Sequence, residues 1–389
     1  MSQISVGQEN KKRANYQFKI LYSILMFGVL CGHLGAVDNF IPWTELFSIY
    51  GFGIQLFLFI SGYFYSTKYD STPHVFILKK LKTILLPLVV WNFVYGLVCL
   101  VLSRLGFTFT NSYTLAAFTY ESVIYGPRFS FISPAWFILP FFIAVVFTVL
   151  ERFAVSRIRS EIKDFVILAV NMCINFASIW YVMHNYNEYG YYQGNYKTIL
   201  QAMFMIPYFS IGFIYKTYLE KHDKIGNLFY FLIIIALDVL YITINGHSSS
   251  YFVSVMGGYE NIIFPTVTAI IGIAFYLRIS RIITPVIGHS KAINLIGDNT
   301  FSIMIHHEFA FFVLSSLLVL AAKLIPFFPE PDFNAYFANP TYHYMPRGRG
   351  WPIVYVIFGF TYSIAVPFAV GKIKGVIMGK MKKGEKLYE

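Results

Sequence analysis

An all-α, polytopic membrane bundle of about ten transmembrane helices follows from three features of this 389-residue chain. Its composition is 57% hydrophobic, 20% aromatic and only 13% charged, far more apolar surface than a soluble core of that length hides. Apolar runs of roughly 18 or more residues recur along it, each long enough to cross a bilayer as a helix. The basic residues are also split unevenly between alternate connections, as the positive-inside rule describes. The chain reads as one domain over 1–389, with short cytoplasmic tails at 1–17 and 375–389.

The runs lie near 18–37, 46–66, 83–103, 133–152, 164–184, 198–217, 227–245, 258–279, 298–324 and 352–374. The first is too long for a signal-peptide core and has no small-residue cleavage site behind it, so it counts as a mature helix. Asp298, Asn299 and Thr300 supply N-cap chemistry where the ninth run should begin. With the N-terminus inside, the only basic residues of the 30 on the outer face are Arg104, Arg128, Lys197, Lys323, Arg347 and Arg349. An even number of spans places both termini in the cytoplasm and the protein in the cell's cytoplasmic membrane. The net charge of +11 lies in short loops and the tail, so it sets topology and provides no nucleic-acid surface. Cys31, Cys99 and Cys173 fall inside apolar runs, which excludes a disulfide framework or a paired-cysteine metal site, and no metal is expected. Two outer connections, 106–132 and 326–350, exceed what a simple link needs, and long loops commonly carry function.

The stretch KILYSILMFGVLCGHLGAV, Lys19 to Val37, is apolar enough to span yet contains His33. An ionisable group at that depth faces a protein interior or a wet cavity rather than lipid. Gly28 and Gly32 in the same stretch form a small-residue pair that lets a neighbouring helix approach. The ninth run carries His306 and His307, which point about 100° apart, so only one of them faces a given site. Asp238 in the seventh run is a weaker candidate, with capping or a bond to a neighbour as its plain role.

IQLFLFISGYFYS (Ile54–Ser66) resembles the second-helix signature of the acyltransferase-3 family of membrane O-acyltransferases. The histidine closing VLCGH is similar to the one that ends that family's first helix, and LKKLKTILLPLVVW (Leu78–Trp91) to its basic entry into a proline-containing third helix. PAWFILPFF with Trp136, IPYFSIGFIYKTY (Ile206–Tyr218) and NTFSIMIHHEF (Asn299–Phe309) follow in the family's order. One departure stands out: members commonly have Arg or Lys eleven positions before the first-helix histidine, where this chain has Tyr22, with Lys19 one turn earlier.

The resemblance implies transfer of an acyl group, usually acetyl, from a cytosolic thioester to a hydroxyl of a surface or exported polysaccharide or lipid-linked sugar. His33 and His307 are the expected catalytic residues, histidine being suited to base work near neutral pH. His306, Trp136, Arg128 and Ser61 are the expected substrate-binding set. Lys79, Lys80, Lys82 and Arg152 form the expected rim for the phosphates of acetyl-CoA. His33 is placed in the outer half and His307 near the midplane, both lining one cavity, with His306 packed on a neighbouring helix. A transporter or flippase for lipid-linked sugars, or a polysaccharide polymerase gripping an anionic chain with Arg128, Arg347 and Arg349, remain the alternatives.

Overall fold

A computed structural model describes residues 2–36, 40, 47, 49–109, 111–158, 161–246, 251–346 and 350–385, with side chains described between 16 and 372 except at 49 and 50. Arg347, Arg349, Arg159 and Val37 lie outside the described residues, as do the side chains of most of both tails. Among the described residues, eleven helices of eight residues or more organise the fold: α1 Ser2–His33, α2 Ile49–Tyr63, α3 Pro73–Arg104, α4 Ser130–Ala154, α5 Ile162–Met183 and α6 Lys197–His222, then α7 Asn227–Asn245, α8 Phe264–Ile287, α9 Lys291–Asp298, α10 Thr300–Leu324 and α11 Trp351–Glu385. Among the described residues there is no strand, only isolated bridges of Gly257 with Tyr191 and Phe252.

Eight of these helices, α3 to α8 with α10 and α11, are long and apolar enough to cross a membrane. The first two expected spans map to α1 and α2, which fall outside that set for identifiable reasons. In α1 the polar side chains that interrupt the apolar run all find partners inside the bundle. Gln17 donates to Leu277 O, Ser23 to Ile293 O, Lys19 pairs with Asp298 and His33 with Glu308. Helix α2 has only 15 residues, about 22 Å of rise, and is shielded from lipid by its neighbours. The eighth span starts six residues later than 258, because Pro265 occupies the first turn and Tyr251–Tyr259 folds as a cap over the bundle end. By contrast α7 shows Leu228, Phe229, Leu232, Ile233 and Leu240 on its outer surface, the pattern of a lipid-facing helix.

The closest helix contact joins α2 to α6. A Cβ built on Gly62 would lie 1.9 Å from Phe209 O, and one built on Gly212 would lie 1.9 Å from Phe59 O. Each glycine therefore admits the partner's backbone, and the contact is reciprocal. Gly28 and Gly32, expected to serve that purpose, instead line a cavity together with Gly53. In α3 the ladder slips to a π-turn over Leu81–Leu85. Pro87 has no N–H for the carbonyl of Thr83, which removes the regular bond at that point.

Replacing Gly212 by Ala should lower the stability of the detergent-solubilised protein by about 1–3 kcal/mol, read as thermal unfolding followed by tryptophan fluorescence. Gly371→Ala, inside α11 where no atom lies within 4 Å of the added Cβ, should not lower it and by helix propensity should raise it by up to about 1 kcal/mol.

Candidate active site

Helices α1 and α10 run side by side in the same direction, tied at both ends. At one end Lys19 Nζ is 2.8 Å from Asp298, and a Cβ on Gly297 would meet Lys19 at 2.8 Å, so α1 lies directly against the α9–α10 turn. At the other end His33 Nδ1 lies 3.1 Å from Glu308 Oε1. His33 and His307 have ring centroids 4.9 Å apart, so the two side chains meet between α1 and α10.

His307 is fully buried, and its Nδ1 lies 2.9 Å from Ile303 O one turn earlier. A carbonyl can only accept, so Nδ1 carries the proton and Nε2 keeps its lone pair. His306, a rotation of about 100° away, turns to α3. Its Nδ1 is 2.6 Å from the Tyr95 hydroxyl, and Trp91 packs edge-on at 4.2 Å. It lines neither of the cavities described below, its ring being packed between α10 and α3.

Two cavities approach this centre from opposite ends of the bundle. The one at the end bearing Lys19 measures about 480 Å³ and is lined by Tyr22, Ser61, Lys79, Lys80, Thr83 and Asp298 among others. The far one, of about 460 Å³, is lined by His33, Trp136, Ser133, Lys197 and Ser254 with the three glycines. Phe57, Phe137 and Met304 line both. Phe57 and Phe137 stack with centroids 5.5 Å apart, so a septum one side chain thick separates the two spaces.

Several sequence expectations change in this geometry. Ser61 lines the first cavity, where Lys80 Nζ donates to its hydroxyl at 3.4 Å. Lys82 is exposed beside that cavity without lining it. Arg152 is 3% exposed and held between Asp70 (3.1 Å) and Asp164 (2.9 Å), with Phe213 at 4.0 Å from its guanidinium, so it braces α4 against its neighbours and presents no donor to a ligand. Arg128 pairs with Glu121 at 2.9 Å, while its backbone N–H donates to Asn92, which also bonds Ala117 O. These bonds fasten the 106–132 loop and leave Arg128 off the cavity wall. Tyr22 stacks on Phe57 at 5.7 Å and Lys19 is spent on Asp298, so the partner of His33 is an acid, not a base. Asp238 is buried on α7, away from both cavities.

Two residues of the centre had escaped the sequence reading. Glu308 is the acid following the histidine pair and bridges two histidines; three titratable residues in a row inside an apolar run were the signal for it. The second, His343, comes from the 326–346 loop and puts Nε2 3.8 Å from Glu308 Oε2. Only its presence in one of the two long loops pointed to it.

Residues 15–372 match the acyltransferase-3 acyltransferase domain, nearly the full length of the chain. The chain is a multi-pass membrane acyltransferase, and it belongs to the acyltransferase-3 family. No curated protein and no solved structure matches it.

The buried ion network gives a prediction opposite to the one a phosphate rim would give. Arg152→Gln leaves two carboxylates facing each other and should cost about 3–5 kcal/mol of stability, read by thermal unfolding. The Michaelis constant of the folded fraction for its donor should stay at the wild-type value.

Proposed function

We propose that the chain transfers an acyl group, acetyl as the expected case, from a cytosolic acyl-CoA to a hydroxyl of a surface or exported polysaccharide or lipid-linked sugar. The observation that carries this reading is the pair of cavities meeting at one septum beside a histidine–carboxylate dyad. The end bearing Lys19, Lys79, Lys80 and Lys216 is taken as cytoplasmic, because basic residues concentrate there. That orientation puts both termini inside and the far cavity toward the outer face.

The residues of the first cavity suit a thioester donor. Lys79 and Lys80 stand on its wall as cations for phosphate, while Phe57, Phe64, Phe76, Ile84 and Phe141 offer an apolar path for the arm that carries the acyl group. The far cavity suits a sugar: Trp136 is a flat apolar face, and Ser133, Ser254 and Lys197 are polar groups around it. His33 donates from Nδ1 to Glu308, which leaves Nε2 basic and holds the ring in place, the role a carboxylate plays for histidine in hydrolytic triads. In the reaction His33 takes the proton of the acceptor hydroxyl as its oxygen attacks the thioester carbonyl. The carbon–sulfur bond then breaks, and the proton returns to the departing thiolate, so the base ends as it began. Glu308 acts as a positioning residue, and its charge favours the imidazolium formed in between.

Purified protein in vesicles, given labelled acetyl-CoA on the Lys79 side and candidate glycans on the other, should form glycan ester. Ester in neither orientation would remove this function. His33→Ala should cut turnover about 10²- to 10⁴-fold without loss of membrane insertion. His307→Ala should cost most of the activity and His306→Ala much less; the reverse order would place His306 at the site. Exchanging Lys79, Lys80 and Lys82 together for Gln should raise the Michaelis constant for acetyl-CoA more than it lowers turnover.

A further inference from the structure

The proton transfer described employs one nitrogen of His33 and the Glu308 carboxylate, with His307 beside them, yet the centre holds more donor atoms than that step uses. His33, His307 and Glu308 each present an atom within 4.8 Å of the others. Glu308 sits between His33 at 3.1 Å and His343 at 3.8 Å, and it has no ion pair with Lys or Arg among the described residues. Nε2 of His307 and Nε2 of His343 are buried without a hydrogen-bond partner among the described residues. An unsatisfied buried nitrogen is costly, and here there are two around one carboxylate.

We propose that this cluster binds a divalent transition-metal ion, Zn²⁺ being the best match, and that the bound ion switches the acyltransferase off by occupying His33. Two imidazole nitrogens and one carboxylate oxygen, from His33, His307 and Glu308, are a donor set that zinc takes in four-coordinate sites, and His343 stands beside them as the fourth side chain within reach of Glu308. Ligand atoms about 2.0–2.1 Å from such an ion stand about 3.4 Å apart, and His33 Nδ1 and Glu308 Oε1, 3.1 Å apart, are close to that spacing. His307 is oriented as metal-bound histidines are, its other nitrogen fixed on a backbone carbonyl. His343 is held in place as well. Ser315 Oγ donates to Tyr342 O and accepts from Tyr344 N, both at 3.0 Å, and the Tyr355 hydroxyl donates to Tyr344 O at 2.8 Å. The loop is thus pinned on both sides of the histidine. An ion has a way in, since His33 is 35% exposed and lines the far cavity. The switching half of the proposal rests on His33 being the base.

The test uses the full chain in detergent, stripped with a chelator and titrated with Co²⁺, whose visible absorption reports four-coordinate nitrogen and oxygen ligation. About one ion per chain should bind, and Glu308→Gln and His343→Gln should each weaken binding about tenfold or more. No absorption in the wild type, or variants that titrate like it, would overturn the site; the wild-type titration decides even if a variant misfolds. In parallel, the stripped enzyme should form ester, added Zn²⁺ should cut the rate about tenfold or more, and chelator should restore it. Binding with an unchanged rate would overturn the switch. A stripped enzyme that is inactive until Zn²⁺ is added would overturn both the switch and the metal-free base, while the site would stand. An active stripped enzyme that binds no Co²⁺ would overturn the site and leave acyl transfer intact.

Discussion

The parallel pairing of α1 with α10, closed by Lys19–Asp298 at one end and His33–Glu308 at the other, is the constraint on which the centre depends. The first pair is exposed and by itself contributes little. Register is set with it by the approach of α1 to Gly297 and by Ser23 bonding Ile293 O, contacts that leave no room for a slip of one turn. With register fixed there, His33 must arrive opposite His307 and Glu308. A half-turn error would put the histidine against lipid or against Phe311, and the carboxylate would be buried alone.

Burial gives that carboxylate its influence. Glu308 is 6% exposed, and a charge so placed is sustained by the groups that bond it. One bond comes from α1 and another approach from the 326–346 loop. The 326–346 loop therefore belongs to the electrostatics of the centre. The septum of Phe57, Phe137 and Met304 does complementary work: it keeps the two cavities apart, and His33 of the dyad stands on the wall of the far one.

Much of this was legible in the chain. The helical class and most span positions came from hydropathy, since lipid demands helices with satisfied backbones. The family motifs also proved to have a mechanical meaning: the glycines of ISGYF and SIGFI are the two that admit each other's backbones. What could not be read were pairings between distant residues. Arg152 looked like any basic residue at a helix end, and only Asp70 and Asp164 closing on it reveal a brace. Helix rotation separated His307 from His306 in principle, but the sequence could not say that Tyr95 and Trp91 would claim His306. The short α2 and the interrupted α1 look like lipid-crossing runs by count, yet their setting is other protein. His343 sits 35 positions after Glu308 in an irregular loop, where no periodicity applies.

The reciprocal glycine contact between α2 and α6 also bears on how the molecule moves. Backbone touches backbone there, so the two helices have no side-chain layer across which to slide, and α2 carries Phe57, one member of the septum. A transporter carries its cargo by rocking one half against the other over microseconds to milliseconds. With this seam closed, communication between the two cavities falls to rotation of Phe57, Phe137 and Met304 about their own bonds. The barrier to passage is then a matter of a few torsions, and the membrane can stay sealed to ions throughout each cycle.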